Sequence, residues 1–148
     1  MPARRKAISM KCLLLAAESG DAGSQFNLGM VYDNGLDDNH RPGRGNRAEA
    51  IAWLLKAARQ GLPRAQSKLA ELYADGPDAP KHDIRAHAWF TLAARQSAGV
   101  SRHRAECGYK RIESRMTQAQ ISTAARLVRD WVPKLQIEAT TPATASDL

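Results

Sequence analysis

Two stretches of this chain align without a gap at an offset of 41 residues, and this self-similarity limits the fold more than any single motif. Gly20 to Gly35 reads GDAGSQFNLGMVYDNG, and Gly61 to Gly76 reads GLPRAQSKLAELYADG. In this register Gln25 meets Gln66, Leu28 meets Leu69, Tyr32 meets Tyr73, and the flanking glycines coincide. A second element recurs at an offset of 36: RAEAIAWLLKAARQ, ending at Gln60, and IRAHAWFTLAARQ, ending at Gln96. Trp53 then meets Trp89, Ala57 meets Ala93, and Ala58 meets Ala94. AISMKCLLLAAESG, ending at Gly20, is a weaker third copy with Cys12 at the Trp position. A fixed period of this size marks an array whose units bury their apolar faces only by stacking on one another.

Both elements have helical periodicity. Ser24, Leu28, Gly29 and Tyr32 fall at i, i+4, i+5 and i+8, while Ala50, Trp53, Leu54 and Ala57 fall at i, i+3, i+4 and i+7. The punctuation matches helix ends. Gly20, Gly35, Gly61 and Gly76 stand where left-handed C-terminal caps are wanted, and Pro63 suits a first helical position. Asn46 with Glu49, and Thr117 with Gln120, have capping-box spacing, and Asp83 reads as an N-cap. The pattern predicts seven helices, covering about 5–19, 22–34, 47–60, 63–75, 84–97, 100–115 and 118–131. The sixth has two registers: one pairs Tyr109 with Tyr73, and a two-residue shift instead sets Cys107 and Gly108 against Leu28 and Gly29.

The fold class is therefore all-α, an α-solenoid of antiparallel helix pairs. Small residues such as Gly29, Ala57, Ala70 and Ala93 let backbones approach, and one Trp or Tyr per helix fills the wider gaps. That explains a composition with only two Phe, three Tyr and three Trp in 148 residues. The expected organisation is a repeat domain over 1–135, followed by a disordered tail over 136–148. Within the domain lie a half repeat at 5–20, a repeat at 21–60, a repeat at 61–97 and a C-terminal capping pair at 98–132. The first full repeat carries five extra residues in the loop 36–46.

Ser24 through Tyr32 with Gly35, and Asp83, Ala86, Trp89, Ala93 and Ala94, resemble the Sel1-like repeat family, a branch of the tetratricopeptide-type helical solenoids. The resemblance spans about residues 7 to 131 and ends on a helix closed by Trp131. It assigns structural repeat positions to Leu28, Gly29, Tyr32, Gly35, Trp53, Ala57, Leu69, Tyr73, Gly76, Trp89, Ala93 and Trp131. It implies a non-enzymatic interaction scaffold whose concave side is lined by the first helix of each pair. On that side the candidate contacts with a protein or peptide are Gln25, Asn27, Met30 and Asp33, with Gln66, Lys68 and Glu71. Family members include signalling adaptors and exported bacterial proteins. Cysteine-rich relatives were linked to β-lactam binding, but the cysteines of those helical pairs are missing here, so a hydrolase of that type loses its support. The first helix lacks its own partner, which implies self-association through it.

The remaining signals are chemical absences and one charge imbalance. No Gly-rich phosphate loop, HExxH or GxSxG is present, and no cofactor is expected. His82, Asp83 and His87 do not share one helix face, so no metal site is assigned. Cys12 and Cys107 fit neither a disulfide framework nor a zinc pattern, and read as buried thiols in a reducing compartment. The net charge of +7 raises nucleic acid or an anionic surface as the alternative partner. It would use Arg4, Arg5, Lys6 and Lys11 together with Arg102, Arg104, Lys110, Arg111 and Arg115. No apolar run reaches the ~18 residues of a membrane span. The expected location is cytoplasmic, with export the alternative if the basic N-terminus and the apolar run after it act as a signal peptide.

Overall fold

A computed structural model describes residues 2–35, 47–74 and 79–131. The elements are α1 (Pro2–Glu18), α2 (Ala22–Asn34), α3 (Arg47–Arg59), α4 (Pro63–Ala74), α5 (Ala79–Gln96), α6 (Gly99–Glu113) and α7 (Gln118–Asp130). They form the expected α-solenoid, and no strand occurs among the described residues. Consecutive helices pack antiparallel from α1 to α6, whereas α7 packs chiefly back onto α5. Gly76, the 36–46 loop, the Asn46 cap and the expected tail lie outside the described residues.

The core is aliphatic and small-residue rich. Leu28, Leu54, Ala57, Leu69, Ala93 and Trp89 are fully buried. α4 lies deepest, with Ala65, Leu69, Ala70, Leu72 and Tyr73 all buried. Close approach depends on missing side chains: a Cβ on Gly29 would lie 2.7 Å from Leu54 Cγ, and one on Gly108 2.7 Å from Phe90 Cε1. Gly108 is thus the close-approach glycine of α6, as the shifted register has it, while buried Ala105 and exposed Cys107 follow the other register. Tyr109 lies half-buried with its ring centroid 5.5 Å from that of His87.

Helix ends follow the local chemistry. Gly35 closes α2 at φ 71°, a left-handed conformation that a Cβ would strain. Thr117 and Gln120 form the expected capping box at α7. Asp21, which carried no expectation, caps α2 by accepting from the Ser24 backbone N–H at 2.8 Å and its hydroxyl at 2.5 Å.

Asp83 corrects its reading as an N-cap. α5 begins at Ala79, a full turn earlier, and Asp83 lies inside the helix and buried. Its carboxylate is held instead by Arg115, at 2.6 and 2.9 Å. Trp53 and Trp89 are also less alike than their alignment implies. Trp89 is sealed edge-on by Trp131 at 6.1 Å, whereas Trp53 is half-buried with the Lys56 ammonium 4.3 Å from its ring centroid. The reason is α7, which packs back onto α5 and brings Trp131 over Trp89. Cys12 and Cys107 are both exposed, not buried. The inward faces of these helices carry Ala17 in α1 and Ala105, Gly108 and Ile112 in α6, and both cysteines lie off them.

Candidate functional site: a groove along the first helices of the pairs

Three helices at alternate positions in the chain, α2, α4 and α6, line a groove of about 720 Å³. Phe26 and Met30 come from α2, Pro63, Arg64, Ser67, Lys68 and Glu71 run along α4, and Ser101 with Arg104 come from α6. Leu62 and Ser97, just before α4 and α6, complete the floor and rim. A smaller hollow of about 220 Å³ shares Ser67, Glu71 and Arg104 with the groove and continues it toward Cys107 and Arg111.

Of the seven candidate contact residues, Met30, Lys68 and Glu71 line this groove. Asp33 holds the Lys68 ammonium at 3.0 Å from outside the lining, and Glu71 stands 4.0 Å from the same nitrogen. Asn27 is exposed on α2 but does not line the groove.

Gln25 and Gln66 are a correction. Both are buried, with relative exposures of 2% and 0%, so neither is available to a partner. Gln25 donates to the Ala17 carbonyl at 3.0 Å, and Gln66 donates to the Ala58 carbonyl at 3.1 Å. Each accepts in turn from the glutamine ending its own pair, Gln60 at 2.8 Å and Gln96 at 3.3 Å. These amides satisfy C-terminal carbonyls of the preceding helix, which have no partner within that helix. In the register that pairs Gly108 with Gly29, Arg104 of α6 aligns with Gln25 and Gln66, yet it is exposed at the groove.

The opposite edge is fastened by arginines. Arg47 donates to the Leu72 carbonyl, and Arg115 donates to the Ala74 carbonyl at 2.9 Å, so the last turn of α4 is held from two sides. His87 Nε2 lies 2.7 Å from Glu113 Oε1, and the His82 ring stacks on Tyr73 at 5.5 Å. His82, Asp83 and His87 therefore have separate partners. Burial holds the Arg59 guanidinium below its usual range and pushes the Tyr73 phenol up. The basic residues expected to act together are divided: Arg102 of α6 pairs with Glu106 at 3.1 Å, and Arg115, just past that helix, is held by Asp83.

Sequence reasoning missed Phe26 and Leu62, and named Arg104 only in the basic cluster of the anionic-partner alternative. A signal for the first existed: Phe26 and Met30 lie at i and i+4, a second apolar stripe off the Leu28 and Tyr32 face. For Arg104 the basic run was the signal, but it did not show which of those residues faces α4.

The fold and the groove define a solenoid of two-helix repeats with an open face along its first helices. The Sel1 repeat model matches residues 22–62 and 63–97, and the chain belongs to the Sel1 repeat family, whose repeats generally mediate protein–protein interactions. The chain is similar to the ERAD-associated E3 ubiquitin-protein ligase component HRD3A of Arabidopsis thaliana, at 37% identity over 60 residues. That match covers 40% of this chain and 8% of HRD3A, so the chain spans a small part of that relative's length. A crystal structure of c5321, a protective antigen of uropathogenic Escherichia coli with an SLR fold, superposes with a TM-score of 0.69 at 25% identity. It covers 88% of this chain and 28% of c5321. A Sel1 repeat protein from Oxalobacter formigenes superposes with a TM-score of 0.51 at 28% identity, covering 83% of this chain and 98% of that one.

Proposed function

We propose that this chain is a non-enzymatic scaffold that holds a segment of a partner protein in the groove between α2, α4 and α6. The observation that carries this reading is the groove itself: three first helices present an open cleft with an apolar floor of Phe26, Met30 and Leu62 under a polar rim. Such a mixture of apolar pockets and hydrogen-bonding groups suits main-chain and side-chain recognition together. The test is affinity purification from the native source with the parent chain and with Met30→Glu and Ser101→Trp, which place a charge on the floor and bulk at the rim. Loss of a specific partner in both variants, with helical circular dichroism unchanged, is expected. Equal capture by all three proteins overturns the assignment.

The two exposed free thiols fit a reducing compartment, and the cytoplasm is the location this reading takes. Among the described residues no helix is long and apolar enough to cross a membrane. Self-association through α1 belongs to the same reading, because Leu14 and Leu15 of that helix are 36% and 59% exposed. Light scattering should show a second copy lost in Leu15→Glu. A strict monomer in the parent chain at high concentration counts against it.

A further inference from the structure

We infer that the occupant of the groove is an extended peptide segment in which an apolar side chain is flanked by carboxylates. This rests on the groove reading above and adds the chemistry of what binds. Across the groove and the hollow that continues it, four cations, Arg64, Lys68, Arg104 and Arg111, face a single lining acid, Glu71. Lys68 is already balanced by Asp33 at 3.0 Å. Arg64, Arg104 and Arg111, all three exposed, outnumber the remaining Glu71, so the lining stays net positive toward an incoming ligand. Guanidinium groups present a planar fork of donors that matches a carboxylate better than an ammonium does.

The apolar floor sets the second requirement. Met30 and Leu62 are half-buried and line the groove beside Phe26, whose ring the Arg64 guanidinium covers in part. Burying one aliphatic or aromatic side chain there contributes the desolvation that exposed ion pairs alone do not supply. The hydroxyls of Ser67, Ser97 and Ser101 can both donate and accept, which fits the alternating groups of an extended main chain. The run from Leu62 to Glu71 rises about 13 Å along α4, the span of roughly four extended residues. A nucleic-acid strand fits less well. Phe26 is the aromatic ring lining the groove, and the Arg64 guanidinium already lies 5.0 Å from its centroid, so no free stacking platform remains.

The test is selection of random displayed peptides about ten residues long on the full chain, followed by binding of the enriched peptides in solution. Expected are sequences with several Asp or Glu residues around one Leu, Ile, Met or Phe. The charge-reversed pair Arg64→Glu with Arg104→Glu should weaken them at least about tenfold, as should raised salt. Both arginines are exposed, so the pair leaves the core intact. Enrichment of basic or neutral peptides, no enrichment, or acidic peptides that bind the reversed pair equally well would overturn the inference. So would preferential binding of a short oligothymidylate that the reversed pair abolishes. Ser101→Trp separates the two levels: neutral peptides lost in that variant sink the acidic chemistry and leave the groove reading in place. Acidic peptides held equally by Ser101→Trp sink both.

Discussion

The Arg115 guanidinium takes both oxygens of the buried Asp83 carboxylate, Nη2 at 2.6 Å and Nε at 2.9 Å, and the same Nη2 reaches the Ala74 carbonyl at 2.9 Å. One side chain just past α6 thus ties α5 to the end of α4. Removing it leaves a carboxylate with 5% side-chain exposure without its counter-charge. Arg115→Met should therefore lower stability by about 2 kcal/mol, less than for a fully buried pair because the arginine itself is half exposed. Replacing both partners, as in Asp83→Leu with Arg115→Met, should cost less than the sum of the single changes. Urea midpoints for the three proteins decide it, and strict additivity would contradict the pairing.

Gln25 and Gln66 offer a test that separates structure from recognition. Gln66→Ala removes the amide that bonds the Ala58 carbonyl and receives Gln96, while that carbonyl keeps the Gly61 N–H at 2.9 Å, so it should cost about 1 kcal/mol. Partner capture by the folded variant should match the parent. Capture lost at unchanged stability would return these glutamines to the binding surface.

Gly108 is under steric pressure of a measurable kind. Gly108→Ala would place a methyl 2.7 to 2.9 Å from three ring carbons of Phe90, and overpacking of this type costs about 1–3 kcal/mol. Phe90→Leu in the same chain should recover part of the loss. Thermal melts of the single and double variants check this, and a double variant no better than additive would show that the contact is not the cause.

The Asp21 cap gives the chain a pH-dependent helix end. The Ser24 hydroxyl, and after it the Ser24 backbone N–H, hold the Asp21 carboxyl below its ordinary range. A depressed carboxyl stabilises the folded state above its unfolded pKa of about 3.9, and that stabilisation disappears as pH falls through the lower folded value. Asp21→Ala should therefore be less stable than the parent at neutral pH and converge with it in acid. Denaturation curves at several pH values measure it, and a constant gap down to the acid limb would refute the cap.

The repeats were legible because each helix states its period, its small residues and its stops within about a dozen positions. Leu28 and Leu69, or Ala57 and Ala93, need only be matched to one another to locate the core. The groove was half legible. Met30, Lys68 and Glu71 follow from their helical phase, while Gln25 and Gln66 have the same polarity as surface residues and reveal their burial only through carbonyls on another helix. Asp83 misled for a related reason: its acceptor chemistry suits a cap, and the partner that claims it lies 32 positions away. Long-range pairing leaves no local trace in a single chain. Cys12 and Cys107 failed differently, since a repeat column does not fix burial: Trp53, which aligns with Cys12, is itself only half-buried.

The glutamine joints carry a consequence for inheritance. Each repeat brings the amide that closes the helix before it, and the second amide that steadies the first. A duplicated block of residues 61–96 would arrive with its own fastenings and find matching carbonyls at either seam. Lengthening the array then requires no coordinated change elsewhere, and the cleft would grow by one helix for each copy, so reach toward a longer partner could evolve by duplication before any contact residue changes.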